Sequence, residues 1–325
     1  RVYLAAIAIA MVMTGNVTPG SITVAAAALM IASFLFTFVG GLKSVLWNDL
    51  IQFAIYLGAA VAVLVFLRLS IPASTAEIIH GVMHTPEGVN KLRLFDFSLD
   101  LSRPFSMLAV VTGVALLYIG NAGLDQDTTQ RLLACRDAKT GARGLYLSVL
   151  ATVPVVAVFI TIGLLLYVFY DRPDLMGGAT ASAARHFGGE KVSIFMHYIL
   201  TQVPSGLRWL VTIGVIAAAV ATTNSALNAM SSVAVQDFYR PWRERRGTVT
   251  EQHYVRAGRV GMALIGVAMF GTAVVSYYWQ HHTNMGLLEF ALQVMVFSYA
   301  GLLGVYFTAI FTRRGTTASV IAALL

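Results

Sequence analysis

The distribution of apolar and polar residues divides this 325-residue chain into long apolar runs and polar connections. Seven runs come close to or exceed the length that a helix needs to cross a bilayer, which is about 20 residues. The sequence therefore predicts membrane-spanning helices over residues 21–39, 45–67, 105–124, 145–170, 207–240, 260–279 and 286–312. Two shorter apolar segments, residues 2–13 and a helix beginning at Thr316, bring the total to nine, with the first and last incomplete.

Lysine and arginine are shared unevenly between alternate connections. One side of the predicted bundle collects 14 of these residues and the other side eight, mostly in the long connections 68–103 and 171–205. Since short cytoplasmic loops carry the excess of Lys and Arg, we assign the richer side to the cytoplasm. Within the long connections we expect a short surface helix and, over residues 192–202, an amphipathic helix lying on the surface.

Composition supports the membrane interpretation. The chain is 58% hydrophobic and 11% charged, with a mean hydropathy of +0.75, whereas soluble domains carry about 25% charged residues. We predict an all-α, polytopic transmembrane bundle formed by one membrane domain over residues 1–325, with the lipid bilayer as a partner. The basic residues behind the net charge of +7 are concentrated in the loops of one side, as the positive-inside rule expects, so the charge does not indicate nucleic-acid binding.

Few features suggest catalysis or structural metal binding. The single cysteine, Cys135, excludes an intrachain disulfide and a multi-cysteine metal site. No nucleophile-elbow, Walker or zinc-protease motif occurs, so we do not expect an enzyme.

Residues 207–240 join an apolar first half to a polar second half on one predicted helix. At about 3.6 residues per turn, Ala218, Thr222 and Ser225 share one face, and Ala221 and Asn224 share a neighbouring face. Polar groups at membrane depth are costly unless they bond to something. Two interpretations are open: hydrogen bonds between helices, or oxygen ligands for an ion.

Asp49 lies close to the start of an early span, in SVLWNDLIQFAIYLG. A carboxylate there costs several kcal/mol unless it is paired or hydrated. Either the first helical turn and nearby headgroup water accommodate it, or it coordinates a cation or carries a proton.

The segment YIGNAG, residues 118–123, places Gly120, Asn121 and Gly123 late in another span. Transporters commonly bind substrate where a helix is broken near the midplane, and we predict such a break here. A glycine-rich packing face, or simply the end of the helix, is the alternative.

Three stretches, in this order and spacing, resemble the sodium/solute symporter family: GGLKSVLWNDLIQ at 40–52, GLDQDTTQRLLACRDAKTGARG at 123–144 and ATTNSALNAMSSVAVQDFYRP at 221–241. GLLGVYFTAIFTRRGTTAS at 301–319 looks like a later helix of that family. The resemblance implies a partial LeuT-type fold, with two inverted repeats of about five helices around a midplane site. The chain would begin in the third core helix and lack the first two. Its ends, Arg1 before an apolar run and Leu325 inside another, also suggest part of a longer protein.

The resemblance implies two sodium sites. The common site would use the Ala218 carbonyl with positions 221 and 222, here Ala221 and Thr222, although serine or threonine is usual at the former. A second site, found in some members, would combine Asp49 with Asn224 and Ser225, near Thr222. One carboxylate with neutral oxygens suits a monovalent cation that must also leave. We expect no metal beyond sodium.

The resemblance also places the solute and a gate. Gly120, Asn121 and Gly123 would line the pocket and form a hinge. Sugar-carrying members have an aromatic pair where this chain has Asn121 and Ala122, which argues against a sugar. A cytoplasmic gate would include Asp125, Gln126, Gln130 and Arg131.

We therefore expect a sodium-coupled symporter for a small polar or anionic solute, in a bacterial inner membrane, with no cofactor other than the coupling ion. Two alternatives stay open. One is a symporter-like sensory input domain of a signalling kinase, which a kinase domain beyond residue 325 would reveal. The other is a proton-coupled transporter of the same fold with Asp49 as the proton carrier, which uptake measured at several pH values would reveal.

Overall fold

Helices follow the predicted apolar runs throughout the part of the chain that the structure describes. This computed structural model describes residues 2–15, 17–39, 42–93, 96–98, 106–178, 194–247, 249–283, 286–312 and 315–324. The helices are α1 (Val2–Thr14), α2 (Pro19–Val39), α3 (Leu42–Ser70), α4 (Thr75–Met83), α5 (Met107–Ala109), α6 (Ala115–Leu124), α7 (Gln126–Leu133), α8 (Ala138–Asp171), α9 (Ile194–Thr201), α10 (Ser205–Val233), α11 (Arg240–Glu244), α12 (Glu251–Thr283), α13 (Leu287–Phe311) and α14 (Thr317–Leu324). Two π-helical turns, Val110–Val114 and Ala234–Tyr239, interrupt the regular geometry.

Each of the seven long apolar runs is helical in the described residues, as predicted, and the total of nine segments stays a prediction. Seven helical stretches there are long and apolar enough to cross a membrane, and α1 is a shorter apolar helix. Large apolar side chains such as Phe36, Trp47 and Leu264 remain more than half exposed along these stretches, as side chains facing lipid would be. The chain is an integral membrane protein of the all-α class.

Several predicted boundaries differ from the structure. The span predicted from residue 145 begins at Ala138, because the helix continues through the polar residues that precede the apolar run. The helix predicted over 207–240 is regular only to Val233.

The amphipathic helix predicted to lie on the surface is instead buried. Residues 192 and 193 lie outside the described part of the chain, and α9 occupies Ile194–Thr201. Tyr198 is fully buried and Ile199 is 1% exposed, because the apolar face of α9 packs against α8 and α3.

The Cα positions cluster into two compact units, Arg1–Leu92 with Leu145–Tyr278, and Arg93–Gly144 with Trp279–Leu325. In the first unit, α10 packs against α1, α2, α3 and α9. The closest approach is at Gly214, where an added Cβ would lie 3.2 Å from the Tyr56 Cα and 3.3 Å from the Ala59 Cβ. The absence of a side chain at Gly214 therefore sets how closely α10 and α3 approach.

A buried arginine fixes the short helix α4 to the end of α8. Arg172 is 7% exposed and donates to the Gly81 carbonyl of α4 and, through two nitrogens, to the Asp174 carboxylate at 2.7 and 2.9 Å. A bidentate, charge-assisted pair of this kind is stronger than a neutral hydrogen bond. The α4 helix itself starts at a capping box between Ser74 and Glu77.

In the second unit, α6 packs against α13 through glycines. A Cβ on Gly120 would lie 3.1 Å from the Tyr299 ring, and a Cβ on Gly123 would lie 3.3 Å from the Tyr306 hydroxyl. The two glycines therefore leave room for tyrosine rings on the neighbouring helix.

We expect Gly214→Ala to lower the melting temperature of the full-length protein in detergent. The new Cβ would meet the α3 backbone, which cannot move aside as a flexible side chain can, and overpacking of this kind costs about 1–3 kcal/mol. Gly58→Ala on α3 is the matched control, because a Cβ there has no neighbour within 4 Å. Equal melting temperatures for Gly214→Ala and the control would contradict the proposed steric role.

We expect Asp174→Asn to destabilise the protein at neutral pH and to have a smaller effect in acid. The hydrogen bond from Arg172 lowers the pKa of Asp174 below its usual value. A depressed carboxyl pKa stabilises the fold above the unfolded value of about 3.9, and this stabilisation is lost as the pH falls through the folded-state pKa. The carboxylate is 56% exposed, so the contribution should be about 1 kcal/mol or less. Melting temperatures at neutral pH and about pH 3 test this; an unchanged difference between variant and wild type would refute it.

Candidate ion-binding site

The polar half of α10 is shaped by hydroxyls that bond within the helix. Thr222 Oγ1 donates to the Ala218 carbonyl at 3.0 Å, and Thr223 Oγ1 donates to the Ala219 carbonyl at 2.8 Å. Each hydroxyl has thus used its one proton, and its oxygen can still accept a hydrogen bond or coordinate a cation. Thr222 is exposed within this unit, whereas Thr223 is buried.

Helices α3 and α10 run antiparallel, and their register brings Asp49 to Ser225. Gly214 lies against Tyr56 and Ala59, and eleven residues further along α10 the Ser225 hydroxyl donates to Asp49 Oδ2 at 3.2 Å. Ser225 is 5% exposed and Asp49 is half-buried. Two residues 176 positions apart in sequence therefore form a partly buried carboxylate–hydroxyl pair between two membrane-spanning helices.

Asn224, beside Ser225, is also inside the unit. Its side chain is 1% exposed, and its Oδ1 atom has no hydrogen-bond donor among the described residues. A buried amide oxygen without a donor carries a desolvation cost of about 1–3 kcal/mol. Such an oxygen is a suitable ligand for a hard cation.

Gln52 is a candidate ligand that the sequence interpretation missed. It lies one turn after Asp49 on the α3 stripe that continues to Tyr56, and both of those residues contact α10, so Gln52 shares their face of the helix. Gln52 is 8% exposed, and its Oε1 has no donor among the residues described. The spacing of three residues from Asp49 was a signal that could have identified it.

The residues predicted for the common sodium site lie next to one another on α10, but they do not all offer a side-chain oxygen. Ala218 and Thr222 are joined by the hydrogen bond within α10, and Ala221 is half-buried. Ala221 has no side-chain oxygen, so only its backbone can serve as a ligand.

The helix break predicted at residues 118–123 is wrong. Helix α6 is regular through Gly120, Asn121 and Gly123 and ends at Leu124; a π-helical turn precedes it at Val110–Val114, and the extended residue Asp125 separates it from α7. The physical reason is that the two glycines provide close packing against tyrosines of α13, so their backbone stays in the helical hydrogen-bond ladder. A contact between Asn121 and a solute stays a prediction.

The residues predicted for a cytoplasmic gate form a local network around α7. Asp125 ends α6 and caps α7, with Oδ1 accepting from the Asp127 amide at 3.0 Å and Oδ2 from the Tyr299 hydroxyl at 3.3 Å. Arg131 pairs with Asp127 at 3.1 Å. Gln126 and Gln130 are half-buried on the same helix. These contacts account for the local structure, and a gating role stays a prediction.

The bundle is similar to a solved membrane transport protein. A substrate-bound, outward-open structure of a Na+-coupled sialic acid symporter matches 99% of this chain and 62% of its own chain, with a TM-score of 0.73 and 20% sequence identity. The similarity establishes a LeuT-type fold of transmembrane helices.

The chain belongs to the sodium:solute symporter family, whose pattern it matches over residues 5–325. The human sodium/iodide cotransporter is 25% identical over 293 residues, covering 89% of this chain and 42% of the relative. The human sodium-coupled monocarboxylate transporter 2 is 27% identical over 203 residues, covering 62% and 31%. The sodium/sialic acid symporter of Proteus mirabilis is 22% identical over 293 residues, covering 90% and 55%. The chain thus spans between 31% and 55% of the length of these curated relatives.

Proposed function

We propose that this chain is the core of a sodium-coupled secondary active symporter, and not an enzyme. The observation that carries the proposal is the Asp49–Ser225 pair at 3.2 Å between α3 and α10, in a chain of the sodium:solute symporter family. The pair supplies one negative charge and one neutral oxygen inside an apolar bundle. Sodium is the coupling ion in this proposal.

The donor set fits a weakly held monovalent cation. Asp49, Gln52, Asn224 and Ser225 offer one carboxylate and three neutral oxygens. A single charge compensates a monovalent ion, and neutral oxygens let the ion leave again when the protein changes state. The Ala218 carbonyl and Thr222 belong to a second ion position beside the Asp49 site. Ala221 weakens this second position because it supplies no side-chain oxygen.

Coupling follows from linkage between two sites. An ion and a solute that both favour the same conformation strengthen each other's binding, and the coupling free energy is shared equally. A sodium gradient then drives solute uptake without any covalent chemistry.

The solute is a small polar or anionic molecule. Three relatives are named for sialic acid, monocarboxylates and iodide, all of which are anions at neutral pH. Asn121, on α6, can donate hydrogen bonds to such a solute through its amide. The relatives of the sialic acid group are bacterial, which supports a bacterial inner membrane as the location.

We expect sodium chloride, compared with potassium chloride at equal ionic strength, to raise the melting temperature of the full-length protein. A ligand at a hundredfold excess over its dissociation constant stabilises the folded state by about 2.7 kcal/mol. Asp49→Asn and Gln52→Leu should each reduce the sodium-specific rise, and Ser225→Ala should do so as well. Ser231→Ala is the matched control, because Ser231 is a buried hydroxyl of the same helix that donates to the Gly258 carbonyl.

The outcomes separate the ion positions. A sodium rise that is unchanged in Asp49→Asn would move the ion to Ala218 and Thr222 and leave Asp49 a structural role. A reduction in Ser231→Ala as large as in Ser225→Ala would mean that general destabilisation causes the effect. No difference between the two salts in the wild type would refute sodium binding.

We expect proteoliposomes containing the full-length protein to accumulate a radiolabelled small carboxylate under an inward sodium gradient. The Asp49→Asn variant should lose this accumulation, whereas Ser231→Ala should keep it. Uptake driven by a pH gradient in potassium would instead support the proton-coupled alternative. Solute binding without uptake in either gradient would support a sensory role.

A further inference from the structure

An apolar groove runs along the outside of the first unit between α2 and α12. It has a volume of about 320 Å³ and is lined only by apolar residues, among them Met30, Phe34 and Leu35 of α2 and Met262, Gly266 and Phe270 of α12. Its base is closed where Gly266 lies against Met30 and the buried Leu227, since an added Cβ would be 3.7 and 3.8 Å from their side chains.

The groove face of α12 continues directly into two arginines. Arg256, Arg259, Ala263, Gly266 and Phe270 are spaced by three, four, three and four residues, so they lie on one stripe of the helix. Both arginines are exposed. At a rise of about 1.5 Å per residue, Arg259 is one turn from the start of the groove at Met262.

The surrounding surface is rich in positive charge. Arg240 is paired with Glu244 and Glu251, whereas Arg243, Arg245 and Arg246 form no ion pair within the described part of the chain. Arg246 stacks on the Trp242 ring, 3.9 Å from its centre. Arginine beside tryptophan at the end of a membrane-spanning helix is typical of the headgroup level.

We propose that this groove binds one anionic phospholipid of the cytoplasmic leaflet. An acyl chain lies between α2 and α12, and the phosphate is held by Arg256 and Arg259. The site is separate from the ion site and does not depend on the transport proposed above.

Charge and depth together favour a phospholipid over other occupants. The groove offers an acyl chain apolar contacts along its whole length, and Met262, its first residue on α12, is one turn from Arg259. Each basic residue near the surface contributes about 1 kcal/mol of attraction to anionic lipid. A soluble anion would use the arginines but not the groove, and an apolar helix would use the groove but not the arginines.

The test is native mass spectrometry of the full-length protein from nanodiscs containing phosphatidylglycerol and phosphatidylcholine with identical chains. The wild type should retain phosphatidylglycerol preferentially. The double variant Arg256→Gln, Arg259→Gln should lose this preference by roughly 25-fold, about fivefold for each arginine. The control double variant Arg243→Gln, Arg245→Gln removes the same charge from α11 and its C-terminal end and should keep the preference.

A second pair of variants tests the groove. Ala263→Phe fills it and should reduce retention of both lipids, whereas Ala268→Phe is the same change on the same helix at an exposed position outside the groove and should have no effect. Ile31→Trp fills the groove from α2, where Ile31 is 62% exposed, and serves if Ala263→Phe does not fold.

Three results would overturn the proposal. The first is a loss of preference in the Arg243 and Arg245 control as large as in the Arg256 and Arg259 variant, which would indicate diffuse charge. The second is wild-type lipid retention in both groove-filling variants, which would indicate that another segment or nothing occupies the groove. The third is displacement of the lipid by glycerol phosphate in solution, which would indicate a phosphate site without an acyl chain.

Discussion

The close antiparallel packing of α3 on α10 is the contact on which the candidate ion site depends. At Gly214 the two helices meet without an intervening side chain, and this contact fixes their register. Ser225 is eleven residues further along α10, about 16 Å at 1.5 Å per residue, where it meets Asp49. Close-packed interiors transmit strain. A side chain added at Gly214 would therefore shift α10 relative to α3, and this shift would also separate or misalign Ser225 and Asp49.

The site concentrates polar groups that are costly in an apolar bundle. Asn224 and Gln52 are almost completely buried, and their amide oxygens have no donor among the described residues. The Asp49 carboxylate adds a charge that membrane depth disfavours. The groups that would coordinate sodium are therefore those whose burial is most costly in its absence. In the proposed site, sodium binding would therefore also stabilise the packing of α3 on α10.

Much of the architecture follows from the sequence because lipid imposes a simple rule. A spanning segment must satisfy its own backbone hydrogen bonds and expose apolar side chains, so length and apolarity identify the spans. The sequence did not show whether a given face of a helix contacts lipid or packs against another helix. The apolar side of α9 could meet lipid headgroups or protein, and the structure buries Tyr198 in protein. The glycines of α6 could break the helix or pack closely, and tyrosines of α13 occupy the space they leave.

The sequence by itself determined the class of fold, the predicted spans and the family resemblance that singled out Asp49, Asn224 and Ser225. Only the tertiary structure decided that Asp49 and Ser225 are in contact and that Gln52 shares the face of α3 that contacts α10. It also revealed the groove between α2 and α12 that leads to Arg259. The physical reason is that helix formation and membrane insertion depend on local composition. A site between helices depends on register and approach, which are set by contacts between residues far apart in sequence.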